Sequence, residues 1–375
     1  MCGYLFFLSR FIAWVGSLLT VYWVPFVYAW GCFIFNIISV SYLLRDGFNW
    51  LIPSFYLRLW LVTLLAIGPG TSEVFFNLCN LHSSLCFLAV CMLLEKPWPS
   101  KPIKFAGLTI LALSSGPLFL FTPLMVLIYR ITKAKRYLYL IGLTLSVMVI
   151  NTIGTIRFSD ARGTLSLDAF THIPKVFIEN IILRFFLAPL IGPTQTERFG
   201  SFPDLLFWGG SAAVITLFYL TFYKLQGLKR WGSYLGLALL GAYSTYAVMV
   251  VARSQSLVVI SRGFHDLLWN YRYSYFAGSF TLLFYGCLIA SCFASSRKFK
   301  ILGVILLIAL SYQTLRFYRR EIHIRPVLNW AEKAAEIQPY LDQRRAGKLK
   351  VPVTIHRIPI HPEFLPSPSM TLEPI

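Results

Sequence analysis

Long apolar runs separated by short polar stretches recur along the whole of this 375-residue chain. A membrane-spanning helix needs about 20 apolar residues, and several runs reach that length. Residues 4–21 are apolar but contain Arg10, so they fit either a span or a helix in the membrane interface. The pattern predicts an all-α, polytopic transmembrane bundle of about 8–10 membrane segments. The spans are expected at 24–44, 55–68 (a short one), 73–94, 137–153, 205–223, 231–251, 274–295 and 301–317.

One apolar segment, 104–129, is interrupted by Ser-Ser-Gly-Pro at 114–117 and contains a second proline, Pro123. Proline removes a backbone donor and clashes with the preceding turn, so we expect a sharp kink or a re-entrant hairpin. Lys and Arg concentrate in cytoplasmic loops. If all four basic clusters are cytoplasmic, 104–129 enters and leaves on one side, and 176–192 cannot form a complete crossing. The clusters are Lys96/Lys101/Lys104, Arg130/Lys133/Lys135/Arg136, Lys224/Lys229/Arg230 and Arg297/Lys298/Lys300.

The composition agrees with a membrane protein. Hydrophobic residues make up 57% of the chain and charged residues 13%, whereas soluble domains are about 25% charged. The formal net charge of +19 is explained by short cytoplasmic loops beside anionic head groups. No nucleic-acid-binding motif accompanies this charge, so we expect the lipid bilayer as a partner and no nucleic acid. The seven cysteines form no CxxC pair and are predicted to be small buried hydrophobes.

The composition changes after Arg316, which divides the chain into a transmembrane domain, 1–317, and a small extramembrane appendage, 318–375. The pattern of residues 326–346 predicts an amphipathic surface helix, and Gly347 can end this helix. Residues 351–364 alternate like a short strand with prolines at its borders. The appendage is too short to form an independent enzymatic domain.

A stripe of polar side chains marks the predicted span 73–94. On an ideal helix, Glu73, Asn77, Asn80 and Ser84 fall within about 60° of one another. Polar groups are costly in lipid, so this stripe must face protein or a wet cavity. Glu73 either serves the chemistry at the outer mouth of such a cavity or caps its own helix. Asn77 and Asn80 either line the cavity or join spans by hydrogen bonds.

The loops predicted to face outward carry arginine, whereas the cytoplasmic loops are rich in lysine. Guanidinium groups match phosphate oxygens with two parallel hydrogen bonds, which suits a phosphorylated lipid substrate. Alternatively, these arginines extend to lipid head groups or pair with nearby acids. His265 and Asp266 could form an acid–base pair in one of these loops. The outward arginines are Arg157, Arg162, Arg184, Arg198, Arg253, Arg262 and Arg272, of which Arg157, Arg162, Arg262 and Arg272 are the candidates for substrate binding.

Several motifs together resemble those of the GT-C superfamily of membrane glycosyltransferases. The broken segment LALSSGPLFLFTPLMVLIYR is similar to the broken helix of that class, and IGPGTSEVFFN to its short outward loop. More narrowly, the chain looks like a set of bacterial polytopic GT-C-like proteins. GYLFFLSRFIAWVGSLL, NYRYSYF and the closing NWAEKA…IPIHPEFLPSPSMTL carry that likeness. The motifs run along nearly the whole chain, and their order is more specific than any one of them.

The resemblance implies an enzyme of the bacterial inner (cytoplasmic) membrane that transfers a sugar from a polyprenyl-phosphate donor to an acceptor on the outer face. It assigns Glu73 to acceptor positioning or metal binding, since some members use a divalent cation. The general base expected in an earlier loop has no counterpart in this chain. A misassigned start codon, a degraded gene or a shortened, non-catalytic relative would each explain this. The alternatives are an O-antigen polymerase or ligase-type protein, with continuous spans around one large outer loop, and a transporter.

Overall fold

A computed structural model gives the fold. It describes residues 7–20, 22–68, 81–98, 102–158, 181–192, 195–196, 198, 208–213, 215–216, 219, 225–252, 271–322, 330–348, 353–355 and 370–372. Almost all of the described residues are helical. The helices are α1 (Phe7–Ser17), α2 (Val24–Ser41), α3 (Phe55–Ile67), α4 (Leu81–Leu94), α5 (Pro102–Ser114), α6 (Thr122–Thr132), α7 (Arg136–Phe158), α8 (Ala188–Ile191), α9 (Gln226–Ala252), α10 (Tyr271–Phe293), α11 (Arg297–Ile322) and α12 (Trp330–Arg345).

The structure supports a multi-pass membrane protein. Four helices are long and apolar enough to cross a bilayer, and a bent pair of helices raises this number to as many as five. The four are Val24–Leu44, Arg136–Ile153, Tyr275–Phe293 and Arg297–Arg316, each inside or overlapping a predicted span. The predicted span 231–251 lies within α9. The predicted spans 73–94 and 205–223 fall partly outside the described residues.

The described part of the N-terminal segment contains one short helix. α1 has 11 residues, a length of about 16 Å, against about 30 Å of hydrocarbon. It packs against α2 at two glycines, where a Cβ on Gly16 would lie 2.7 Å from the Tyr28 ring and one on Gly31 3.0 Å from Ile12. Arg10 is exposed.

Contacts between distant residues bring the basic clusters to one end of the bundle. Lys96 lies 4.5 Å from the ring centre of Tyr234, which is in the first third of α9. Trp231, also near the start of α9, donates a hydrogen bond of 3.2 Å to Ser291 near the end of α10. The described residues Lys96, Lys104, 226–230 and 297–300 therefore share one end, which we call the basic end. We call the opposite end the outer end.

A sharp break is present at the Ser-Ser-Gly-Pro sequence, as predicted. The axis of α5 and that of the following helical segment, Gly116–Thr132, differ by 118°. Ser115 between them is extended, with φ −124° and ψ 90°. Pro117 and Pro123 each lie in the first turn of a helical element, where the missing N–H has no helical partner to lose. We call α5 and Gly116–Thr132 the two arms of the hairpin, and the break its elbow.

The first arm of the hairpin starts at the basic end, because Lys104 in the first turn of α5 pairs with Glu95 there, at 2.7 Å. At the elbow, a Cβ on Gly116 would lie 3.3 Å from the amide nitrogen of Asn151 in α7. The bend of 118° exceeds a right angle, so the second arm turns back toward the basic end, and α7 begins on that side of the elbow.

The elbow lies in the centre of the bundle. Phe121 is fully buried and packs against Phe276 and Phe280 of α10 at ring-centre distances of 5.8 and 5.7 Å. On α4, Phe87 lies 5.1 Å from Phe280. By contrast, one face of α2 is exposed, as a face toward lipid must be, and includes Trp23, Phe26, Trp30, Ile34 and Ile38.

The C-terminal region contains the elements that its sequence predicts. The surface helix predicted over 326–346 is observed as α12, and Gly347 at φ 64° follows its end. Strand β1 (Val353–Ile355) lies inside the strand-like stretch 351–364. It pairs antiparallel with β2 (Met370–Leu372), which the sequence analysis did not anticipate. The preceding helix α11 continues to Ile322, beyond the predicted boundary at 317.

Candidate functional site

Most of the predicted site residues lie outside the described part of the chain: Glu73, Asn77, Asn80, Arg162, Arg262, His265 and Asp266. The backbone of two others is described. Arg157 is the penultimate residue of α7, and Arg272 is the second residue of α10. α7 starts at the basic end and α10 finishes there, so Arg157 and Arg272 both lie at the outer end. Their predicted roles remain predictions.

Ser84, the last member of the predicted polar stripe, faces protein. It is buried on α4 and its hydroxyl donates to the side-chain carbonyl of Asn36 on α2. Asn36 is fully buried and donates in turn to the Cys32 carbonyl at 2.7 Å. At Ser84 the stripe therefore faces protein, one of the two environments predicted for it, and joins α4 to α2 by hydrogen bonds.

A short buried segment, Ile181–Ile191, enters the bundle near the elbow. It starts as a π-helix, Ile181–Leu187, and continues into α8. At about 16 Å it is too short to cross, as expected for 176–192. The Tyr285 hydroxyl, midway along α10, donates 2.8 Å to the Phe186 carbonyl. The segment is therefore inserted among the helices rather than lying along the interface.

Arg184 is the charged residue of this segment, and it is 93% buried, with a relative exposure of 7%. Its guanidinium is hydrogen-bonded to the Tyr246 hydroxyl of α9. The neighbouring Phe185 ring stacks on Tyr243 at 5.6 Å and meets Tyr246 edge-on at 5.0 Å. An arginine so placed inside an apolar bundle is costly and usually functional. π-helical turns also occur frequently at functional sites.

Helix lengths give the depth of Arg184. From Arg230 at the basic end to Tyr246 is about 24 Å along α9. Gly241, which contacts Phe121 of the elbow, is about 16 Å from Arg230. Tyr246, and Arg184 beside it, therefore lie farther from the basic end of α9 than Gly241 does.

Further polar side chains are buried at the same level. Asn151 is 7% exposed and packs on the elbow at Gly116. Gln313 of α11, also 7% exposed, lies against Gly192, where a Cβ would be only 2.6 Å from its side-chain oxygen. Gly192 has φ 85°, a conformation that favours glycine. We call the region of the elbow, Arg184 and these buried polar side chains the outer site.

The outer site can hold an anion. A guanidinium offers several donors in a fixed plane, which suits two oxygens of one phosphate. In a medium of low dielectric constant its attraction for a phosphate is stronger than at a wet surface. Among the described residues, no group of three or more His, Cys, Asp or Glu side chains is arranged to hold a metal ion.

A second polar cluster lies at the basic end, around Glu95, whose side chain is 4% exposed. One carboxylate oxygen, Oε1, accepts a hydrogen bond from Arg45 Nε at 2.7 Å. The other, Oε2, accepts from the Tyr42 hydroxyl at 2.6 Å and from Lys104 Nζ at 2.7 Å. We call these four residues the Glu95 cluster.

The ionisation of Glu95 reflects two opposed effects. Burial by itself raises its pKa, but hydrogen bonds from Lys104, Tyr42 and Arg45 outweigh burial, and the pKa is lowered from its ordinary value. The hydrogen bond to Glu95 likewise raises the pKa of Arg45. Glu95 is therefore ionised at neutral pH and attracts both cations.

Arg184 and Glu95 are not among the site residues predicted from sequence, although the sequence around each contains a feature that indicates function. Arg184 interrupts the apolar run IILRFFL, and a lone charge inside such a run is itself a functional signal. Glu95 ends an apolar helix with basic residues on either side in neighbouring loops. Neither signal identifies the partner, because Tyr246 and Tyr42 are distant in sequence.

Comparison with protein-family models, with curated proteins and with solved structures finds no significant match to this chain.

Proposed function

We propose that this protein is a GT-C-like membrane glycosyltransferase of the cell envelope, acting on a polyprenyl-phosphate-linked sugar at the outer face of the bacterial cytoplasmic membrane. The observation that carries the proposal is the position of Arg184. Its side chain is 7% exposed and lies beside Tyr246, in a bundle whose hairpin bends by 118°.

In this proposal Arg184 binds the phosphate of the donor lipid. When the acceptor hydroxyl oxygen bonds to the anomeric carbon, the bond from that carbon to the phosphate oxygen breaks and negative charge grows on the phosphate. The acceptor hydroxyl proton then passes to the departing phosphate. A fixed guanidinium stabilises that charge without reorganising. Tyr246 orients the guanidinium through their hydrogen bond. Glu73 is proposed to position the acceptor or a divalent cation, and Arg157 and Arg272 extend the basic lining at the outer end.

The hairpin favours this function over the alternative of an O-antigen polymerase or ligase-type protein. Those proteins are expected to have continuous spans around one large outer loop, whereas here one apolar segment bends by 118°. A transporter would be expected to have paired broken helices in two halves of the chain. Among the described residues, one bent pair of helices is found.

Binding of the donor lipid tests the proposal first. The full chain in lipid nanodiscs should bind polyprenyl monophosphate, and should bind polyprenol, which lacks the phosphate, much more weakly. Arg184→Met should weaken phosphate-lipid binding by about tenfold or more, because a charge-assisted hydrogen bond contributes about 1.5–3 kcal/mol. Arg184→Lys should give an intermediate loss. Arg297→Met, which removes an exposed arginine at the basic end, is the matched control.

Equal binding of polyprenol and polyprenyl phosphate, or unchanged binding by Arg184→Met, would refute the assignment. A transfer assay with a radiolabelled polyprenyl-phosphate sugar then tests catalysis. Glu73→Gln should reduce transfer without changing membrane insertion, and unchanged turnover would exclude Glu73 from the chemistry.

A further inference from the structure

The hairpin is tied to the basic end by the Glu95 cluster. The Lys104–Glu95 ion pair, at 2.7 Å, joins the first arm of the hairpin to the end of α4. Lys104 lies in the first turn of α5, about 15 Å along the helix from the elbow. Any change at this pair is therefore transmitted along a rigid arm to the elbow in the outer site.

The Glu95 side of this pair is held in place. Glu95 is followed by Lys96, whose ammonium lies 3.9, 4.5 and 4.9 Å from the ring centres of Trp50, Tyr234 and Trp98. Three cation–π contacts to one ammonium fix its position strongly. The Lys96 backbone N–H also donates 3.0 Å to the Gly47 carbonyl. Before Glu95, the Trp50 indole donates 3.0 Å to the Leu94 carbonyl.

The Lys104 side can separate at low cost. If Lys104 leaves, Oε1 of Glu95 keeps Arg45 as a donor and Oε2 keeps Tyr42. The buried carboxylate therefore loses one of its three partners and is not left uncompensated. The Lys104 side chain is 24% exposed, so its ammonium can be hydrated or can bind a lipid phosphate after release. Oε2 accepts hydrogen bonds from two donors, Tyr42 and Lys104, whereas Oε1 accepts from Arg45. Loss of the Arg45–Glu95 pair would therefore leave Oε1 without its donor, and loss of Lys104 leaves neither oxygen without one.

We propose that the Lys104–Glu95 pair is a releasable latch on the hairpin. When it is closed, α5 is held at a set depth beside α4. When it opens, the first arm moves independently of α4 and shifts the elbow in the outer site. This inference does not depend on the glycosyltransferase assignment, because it concerns the hairpin alone.

Hydrogen–deuterium exchange of the full chain in lipid nanodiscs tests the latch. Lys104→Met should speed amide exchange in α5 by up to about fivefold, which corresponds to the loss of one partly exposed ion pair. Exchange in α4, α9 and the loop at 45–50 should stay unchanged. Lys104→Arg should restore wild-type exchange. Lys300→Met removes an exposed lysine near the start of α11, also at the basic end, and should leave α5 unaffected.

Glu95→Gln gives a second, distinct pattern. It weakens the bonds to Arg45 and Lys104 together, so exchange should rise both in α5 and in the loop at 45–50. If Lys104→Met leaves α5 as slow as Lys300→Met does, the latch is refuted. It is also refuted if Lys104→Met speeds exchange equally in all helices, because that pattern indicates general destabilisation rather than release of one arm.

Discussion

The fit between α9 and the elbow leads to a prediction about two glycines of the same helix. Gly241 lies against the Phe121 ring, where a Cβ would be 2.7, 2.8 and 3.0 Å from Cδ1, Cε1 and Cγ. Phe121 is fully buried between Phe276 and Phe280, so the ring has no space into which to turn. Gly236, five positions earlier, has nothing within 4 Å of the same point.

The magnitude follows from two opposed contributions. Overpacking of a filled core costs about 1–3 kcal/mol. Replacing glycine by alanine in a helix returns up to about 1 kcal/mol. Gly241→Ala should therefore destabilise the protein by about 1–2 kcal/mol. Gly236→Ala keeps the helix gain without the clash and should stabilise the protein by about 0.5–1 kcal/mol.

Equilibrium unfolding in mixed micelles with increasing SDS, followed by circular dichroism, measures both variants. In a Phe121→Ala background the clash partner is gone, so Gly241→Ala should lose its penalty and behave like Gly236→Ala. The coupling in this double-mutant cycle should exceed about 1 kcal/mol. If Gly241→Ala proves as stable as Gly236→Ala, the elbow does not pack against α9 as described.

Three further predictions concern the basic end. Arg58 is 2% exposed, and its guanidinium donates to Asn49 and to the Ile52 carbonyl, the latter at 2.8 Å. Arg58→Met should therefore lower the free energy of unfolding by about 2–4 kcal/mol in the same SDS titration. A smaller loss than that of the surface variant Lys300→Met would contradict this prediction. The lowered pKa of Glu95 means that its contribution to stability is complete above the ordinary glutamate pKa of about 4.3 and is lost as pH falls below it. Stability measured from pH 7 to 3 should therefore fall less steeply for Glu95→Gln than for the wild type, and parallel curves would refute the assignment. Single cysteines at 101 and 133, in a background without other reactive cysteines, should both be labelled from the cytoplasmic side, and opposite accessibility would overturn the hairpin.

The elements of this protein were largely predictable because they depend on local sequence. Run length and hydropathy locate α2, α7, α10 and α11, since a helix must satisfy its own backbone in lipid. The break at Ser-Ser-Gly-Pro follows from proline chemistry within one turn, and the C-terminal helix follows from its amphipathic pattern and Gly347. At α1 the local sequence was not sufficient, because its apolar composition allowed a span, whereas the described helix has 11 residues.

The partners of the polar side chains were decided by tertiary structure alone. Glu95 meets Tyr42, 53 positions away in sequence, and Trp60 donates 2.8 Å to Ser311, 251 positions away. The apolar run around Arg184 indicated a costly charge, but only packing placed it beside Tyr246. The hydropathy of a side chain reports only the free-energy cost of burying it. The choice of neighbour depends on how helices from distant parts of the chain pack, and no local pattern contains that information.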